Sequence, residues 1–124
     1  MIISFGWTTE ALLAGAKTVT RRDWNPKHAA KFKAGMLIDA WNTSPRNVKG
    51  NPHKVATIRL TTGPYADWSD AFPSYEWYAE GFGYMTDNGG GVTVDRIVHD
   101  WRSKPHMLYV VRFEVVEYLE GPLA

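Results

Sequence analysis

Hydrophobic and polar positions change period several times along the chain. Residues 54 to 62 alternate, with Ala56, Ile58 and Leu60 on one face and Thr57, Arg59 and Thr61 on the other, the period-two signature of a half-buried strand. Residues 107 to 118 form the longest β-forming run, rich in Val, Tyr and Phe. Such side chains suit a pleated, packed surface, so this strand is expected at the centre of a sheet. Shorter apolar runs predict strands over residues 2 to 6 and 36 to 41.

Helical spacing fills the gaps. Thr8 or Thr9 is placed to cap a helix through residues 10 to 14, with Trp7 and Leu12 at staple positions if Thr8 is the cap, and Gly15 where a helix stops. Asn25-Pro26 is a cap followed by proline at the first helical position, predicting a helix over residues 26 to 33 that Gly35 ends. Residues 75 to 81 read as a short helix presenting Glu80 at its end. Val94, Ile97, Val98 and Trp101 recur at helical spacing behind a Thr93 cap, with Asp95 in the first turn. Residues 42 to 52, 63 to 74 and 87 to 91 carry the breakers of connecting segments. Mixed strands and short helices without regular βαβ alternation predict an α+β fold, a small curled or closed sheet. At 124 residues the whole chain, 1 to 124, is expected to be one domain.

Composition narrows the chemistry. There is no cysteine, so disulfides, thiolate metal ligands and a cysteine nucleophile are excluded. The N-terminus lacks the pattern of a signal peptide and no apolar window is long enough to span a bilayer, so a soluble, cytoplasmic protein without membrane contact is expected. The net charge of +1 hides an asymmetry: residues 1 to 59 carry ten Lys/Arg and three acids, and residues 60 to 124 carry four and ten. The basic half can attract phosphate, or simply fold against the acidic one. Six Trp, six Tyr and five Phe add rings able to stack on bases, though most are expected in the core.

The densest chemistry follows the first helix stop, where residues 15 to 23 pack Lys17, Thr18, Thr20, Arg21, Arg22 and Asp23 together. Extended, this stretch sends Lys17 and Arg21 one way and Thr20 and Arg22 the other; in a turn Lys17 and Thr20 come within reach. A lysine acts as a base only if burial or neighbouring cations move its pKa from about 10.4 toward 7 to 8, which takes roughly 4 kcal/mol. Arg21 and Arg22 are such neighbours, and a solvated basic β edge is the plain alternative. His28, His53, His99 and His106 are scattered without metal-ligand spacing, so no metal is expected, although His99 and His106 are candidates for an acid and base pair in RNA cleavage. Asn88-Gly89-Gly90-Gly91 is a weak candidate phosphate cradle that lacks P-loop spacing.

These residues also carry a resemblance. Residues 13 to 22, a helix ending in glycine followed by Lys-Thr-x-Thr-x-Arg, resemble the signature of ASCH domains, small members of the PUA-like superfamily. Three further matches follow in order. Phe32-Lys33-Ala34-Gly35 resembles the family's entry to the next strand, Ala79-Glu80-Gly81-Phe82 its Glu-Gly-Phe helix, and residues 109 to 113 its last strand. Met36 stands where the family usually has an acid. The resemblance implies a PUA-like β-barrel with flanking helices and a central cleft.

The family includes proteins thought to bind RNA, nucleases of single-stranded RNA, and a bacterial N(4)-acetylcytidine amidohydrolase. Carried over residue by residue, the amidohydrolase's lysine, threonine and glutamate fall on Lys17, Thr20 and Glu80. What this implies is metal-independent, cofactor-free acyl transfer: Thr20 attacks the amide, Lys17 takes its proton, and Glu80 orients Lys17 or shuttles protons. Arg21 and Arg22 are expected to hold substrate or stabilise the oxyanion, and Trp41 or Tyr78 to stack on the base. A single-stranded RNA nuclease and a non-catalytic RNA or modified-base reader are the alternatives.

Overall fold

In the computed structural model, which describes residues 1 to 121, the twelve-residue strand β6 (Met107–Tyr118) organises the sheet. Three strands pair with it antiparallel: β4 (Lys54–Leu60), β2 (Val19–Arg22) and β5 (Tyr65–Trp68). Beyond β4, strand β3 (Leu37–Trp41) pairs antiparallel, and β1 (Ile2–Ser4) pairs parallel with β3. The order is therefore β1-β3-β4-β6-β2, with β5 also on β6. β1 and β2 are the two ends of this path and do not pair, so the curled sheet is a half-barrel with one open seam. This is the mixed α+β architecture with a curled sheet that the strand and helix pattern predicts, and it is consistent with the small PUA-like barrel that the resemblance implies.

The alternation in β4 does what it promised: Ala56, Ile58 and Leu60 are buried while Arg59 is exposed. With Ile3, Phe5, Leu12, Ile38, Val111 and Phe113 they fill the inside of the curl. Burying each large aliphatic side chain contributes about 1.5–3 kcal/mol. A second cluster gathers Phe72, Phe82, Met85, Val94 and Val98 around the helices. Helix α1 (Thr9–Leu13) joins the two, giving Leu12 and Leu13 to the first and Ala11 to the second. Gly15, at φ +74°, then turns the chain back toward β2, a left-handed geometry that favours glycine.

Several boundaries differ from expectation, each for a local reason. The first strand ends at Ser4, because residues 6 to 8 form a 3-10 turn. Thr8 does not cap α1; its hydroxyl donates to the Phe5 carbonyl at 2.8 Å. Helix α2 (Pro26–Ala29) is capped by Asn25, whose side chain accepts from the His28 N–H, but it stops four residues early. There Phe32 leaves the helix to stack on Trp24 at 4.5 Å inside the core. β5 lies within the segment expected to be a connection: all four residues are exposed, so ladder hydrogen bonds rather than an apolar face hold it.

Helix α3 (Glu76–Ala79) is followed by Glu80, Gly81 and α4 (Phe82–Met85). Helix α5 (Gly91–Ser103) starts two residues before Thr93, which therefore does not cap it. The loop expected over residues 87 to 91 is instead mostly a wide helical turn, residues 86 to 90, broken at Asn88 and Gly89. Among the described residues no helix is long and apolar enough to cross a membrane.

Candidate active site

A cleft of about 490 Å³ opens at the unpaired seam. Ser4 and Phe5 reach it from the end of β1, Thr20, Arg21 and Arg22 from β2, and Lys17 and Glu80 from the segments beside them. The expected catalytic trio thus meets in one place. All three are buried, Lys17 at 3%, Thr20 at 4% and Glu80 at 1% exposure.

The backbone fixes this meeting. Ala16 N–H donates to the Ala11 carbonyl at 2.9 Å, Thr18 N–H to the Ala79 carbonyl at 2.8 Å, and Phe113 N–H to the Thr18 carbonyl at 3.0 Å. Lys17 is clamped between α1, the end of α3 and β6 before β2 begins. Its ammonium donates to the main-chain carbonyl of Glu80 at 2.8 Å, a helix-end acceptor with no partner inside its own helix. The Glu80 carboxylate, at 3.6 Å, is farther away. Gly81, at φ +82°, makes the approach possible: a β-carbon there would lie 2.7 Å from Ala11 Cβ and 3.2 Å from Lys17 Cβ.

Burial pulls the Lys17 pKa down to about 8; Glu80 opposes this, while Arg22 and Arg21 add to it. Desolvation outweighs the nearby carboxylate because the lysine has almost no water to solvate its charge. A lysine poised there has a usable free-amine fraction near neutral pH.

The two arginines differ. Arg21 is tied down: its Nη2 donates to Glu76 at 3.0 Å, its Nη1 lies 3.7 Å from Glu80 Oε2, its N–H donates to Glu80 Oε1 at 3.1 Å, and Phe72 covers its face at 5.0 Å. Arg22 has no carboxylate partner among the described residues. Its Nε donates to Thr20 Oγ1 at 3.0 Å, its guanidinium sits 5.4 Å from the Phe5 ring centre, and burial lowers its pKa against the pull of Glu80. No hydrogen bond joins Lys17 Nζ to Thr20 Oγ1 in this state.

Trp41 and Tyr78, expected to stack on a base, are not in the cleft lining. Tyr78 is 74% exposed on the outer side of α3, where its ring leaves no room for a β-carbon on Gly83. The Trp41 indole N–H is buried without an acceptor. The rings that do face the cleft are Phe5, Trp7, Phe82 and Trp101. Trp7 stacks on Phe82 at 5.9 Å and Phe82 contacts Trp101 at 5.7 Å. No sequence signal separated them from core aromatics, except that Phe82 directly follows the Glu80-Gly81 pair.

His99 and His106 do not meet: His106 lines the cleft, and His99 lines a separate cavity with Trp77 and Asp95. Gly89 to Gly91 form no part of the cleft, and among the described residues no group of three or more His, Asp or Glu side chains converges on a common point. Sequence reasoning also missed Glu76 and Arg112. Glu76 is buried and held by Arg21 and by both terminal nitrogens of Arg112, and Arg112 Nε donates to the Tyr65 hydroxyl at 3.1 Å. Burial alone would push the Glu76 pKa up, but these guanidinium hydrogen bonds win and hold it below the usual carboxylate value.

No family model and no curated protein matches the chain. Among solved structures it is similar to protein EF3133 from Enterococcus faecalis V583, a crystal structure assigned to the DUF984 family. The TM-score is 0.58 and the identity 18%, over 94% of this chain and 76% of that one. At that identity the likeness is one of fold.

Proposed function

We propose that the chain is an ASCH-type amidohydrolase that removes acyl groups from the exocyclic amine of N(4)-acetylcytidine-type nucleosides. One observation carries the reading: a desolvated lysine with a pKa of about 8 shares a nucleoside-sized cleft with a buried threonine and a buried glutamate. A solvated basic edge does not fit this burial. The aromatic wall of Trp7, Phe82 and Trp101 supplies the stacking surface for the base, replacing Trp41 and Tyr78 in that role.

In the first half of the reaction Thr20 Oγ1 forms a bond to the amide carbonyl carbon while the Lys17 amine takes the hydroxyl proton. Catalytic hydrogen bonds shorten when substrate is bound, so the resting separation of Lys17 and Thr20 does not oppose this transfer. Negative charge moves onto the carbonyl oxygen, where the unpaired Arg22 guanidinium stabilises it. The carbon–nitrogen bond then breaks, the Lys17 ammonium returns the proton to the departing amine, and an acyl ester remains on Thr20. In the second half water attacks that ester, Lys17 takes the water's proton and passes it to the Thr20 oxygen, and the carboxylic acid leaves. Glu80 holds Lys17 in place throughout.

Purified protein incubated with N(4)-acetylcytidine is expected to release cytidine at least about a hundredfold faster than Lys17→Ala or Thr20→Ala. Release no faster than that of Lys17→Ala ends the reading. The paired-imidazole route to RNA cleavage has lost its geometric support, because His99 and His106 face different cavities.

A further inference from the structure

Glu76, the first residue of α3, and Glu80, which caps its end, lie one helical turn apart, and both reach the same arginine. Their hydrogen bonding is unequal. Glu76 Oε1 accepts from Arg21 Nη2 at 3.0 Å and from Arg112 Nη2, and its Oε2 accepts from Arg112 Nη1 at 3.3 Å. Glu80 Oε1 receives the Arg21 main-chain N–H at 3.1 Å and lies 3.6 Å from the Lys17 ammonium. Among the described residues its buried Oε2 has no hydrogen-bond partner, and neither has the Arg21 Nη1 that lies 3.7 Å away. Two buried groups of opposite charge that stop short of a hydrogen bond carry an unrecovered desolvation cost, so such an arrangement persists only where competing contacts favour it. The other arm of the same guanidinium is engaged by Glu76 at 3.0 Å.

We propose that Glu76 is a positioning residue that withholds the Arg21 guanidinium from Glu80 and so keeps Glu80 Oε2 open as a hydrogen-bond acceptor in the cleft. The proposal rests on the reading that Glu80 serves the reaction at this site. An open Oε2 can receive the exocyclic N–H of a bound acylated amine, orienting the amide toward Thr20. A carboxylate closed on Arg21 by two hydrogen bonds could not. Glu80 must also remain the countercharge of Lys17. The groups that face Lys17 are Glu80 from the end of α3 and Arg21 and Arg22 from β2, and Asp23 and His106 complete the titratable lining of the cleft.

The test is the titration of Lys17 in the substrate-free protein, followed through its ε-carbon by NMR and assigned with Lys17→Ala. In Glu76→Gln the freed guanidinium closes on Glu80, its charge is spent there, and the Lys17 pKa is expected to fall by about one pH unit. In Arg112→Gln, which breaks the same buried cluster from the other side, Glu76 still holds Arg21 and the Lys17 titration is expected to stay in place. Should Glu76→Gln fail to fold, Glu76→Asp, which draws the carboxylate back by one methylene, is expected to move the titration in the same direction.

An unchanged or raised Lys17 pKa in the folded Glu76 variant overturns the proposal, as does an equal movement in Arg112→Gln, which would mark a merely structural cluster. With acylated nucleoside as substrate, Glu76→Gln is expected to lose about tenfold or more in kcat while KM changes little. Because the titration needs no substrate, absence of turnover in the wild type would sink the amidohydrolase reading and leave the result on Glu76 standing.

Discussion

The closed side of the half-barrel and its open seam are built on opposite rules. Where β3, β4 and β6 pair, the interior holds Ile38, Ile58, Leu60 and Phe113, and charge stays outside, as in the Arg59–Glu114 pair at 3.1 Å. Where β1 and β2 fail to pair, charged and hydroxyl side chains are taken inside, among them Lys17, Thr20, Arg21, Glu76 and Glu80. The closed side converts apolar area into stability. The seam spends some of that stability on groups whose desolvation is useful only if they act on something.

That contrast can be broken from either side. Lys17→Ala is expected to lower hydrolysis of N(4)-acetylcytidine by about 10²–10⁴-fold and to lower the melting temperature as well, since the buried Glu80 carbonyl and carboxylate lose their lysine partner; steady-state kinetics and calorimetry on one preparation check both. Phe113→Ala, on the closed side, is expected to cost about 3–5 kcal/mol of stability in denaturant unfolding, with the activity of the folded fraction kept. A lysine substitution that destabilised as much as Phe113→Ala while the folded fraction kept its activity would place Lys17 among the structural residues.

Smaller effects sharpen the picture. Arg22→Met removes the donor to Thr20 and the guanidinium beside Phe5, the cleft arginine that has no carboxylate partner among the described residues; kcat is expected to fall by about 10²-fold with KM little changed. Gly81→Ala forces a β-carbon against Ala11 and Lys17 at positive φ. It is expected to cost about 1–3 kcal/mol and to reduce activity as well, because the clash lies on the lysine.

Stability against pH gives a subtler reading. The folded chain holds Lys17 at about 8 whereas an unfolded lysine titrates near 10.5. Between those values the unfolded state binds more protons, so wild-type stability should rise with pH by about 3 kcal/mol across the window, relative to Lys17→Met. A parallel pair of curves would show that Lys17 is solvated.

Much of the closed side was legible in the sequence, because burial on one face writes itself as alternation. β4 showed it outright, and β6 was found from end to end because its Val, Tyr and Phe content continues through all twelve residues. β5 was not legible: with Tyr65 to Trp68 exposed on both faces, no periodicity records it, and only its pairing with β6 makes it a strand.

At the seam the same division holds. Lys17, Thr20 and Glu80 could be picked out because residues 13 to 22 and 79 to 82 resemble motifs of a known family; local turn and helix-end signals alone left a solvated basic edge as the plain reading. Trp41 and Tyr78 could not be excluded, nor Trp7 and Trp101 chosen, because which way a ring points depends on packing between elements far apart in the chain. Glu76 was invisible for the same reason: its partners Arg21 and Arg112 are 55 and 36 residues away.

The most direct test of the central claim is kcat/KM for N(4)-acetylcytidine measured between about pH 6 and pH 10. Lys17 acting as the free amine requires activity to rise with pH and level off above an inflection near 8, with that limb gone in Lys17→Ala. A profile flat through that range, or one that Lys17→Ala retains, would contradict the assignment of the buried lysine as the base.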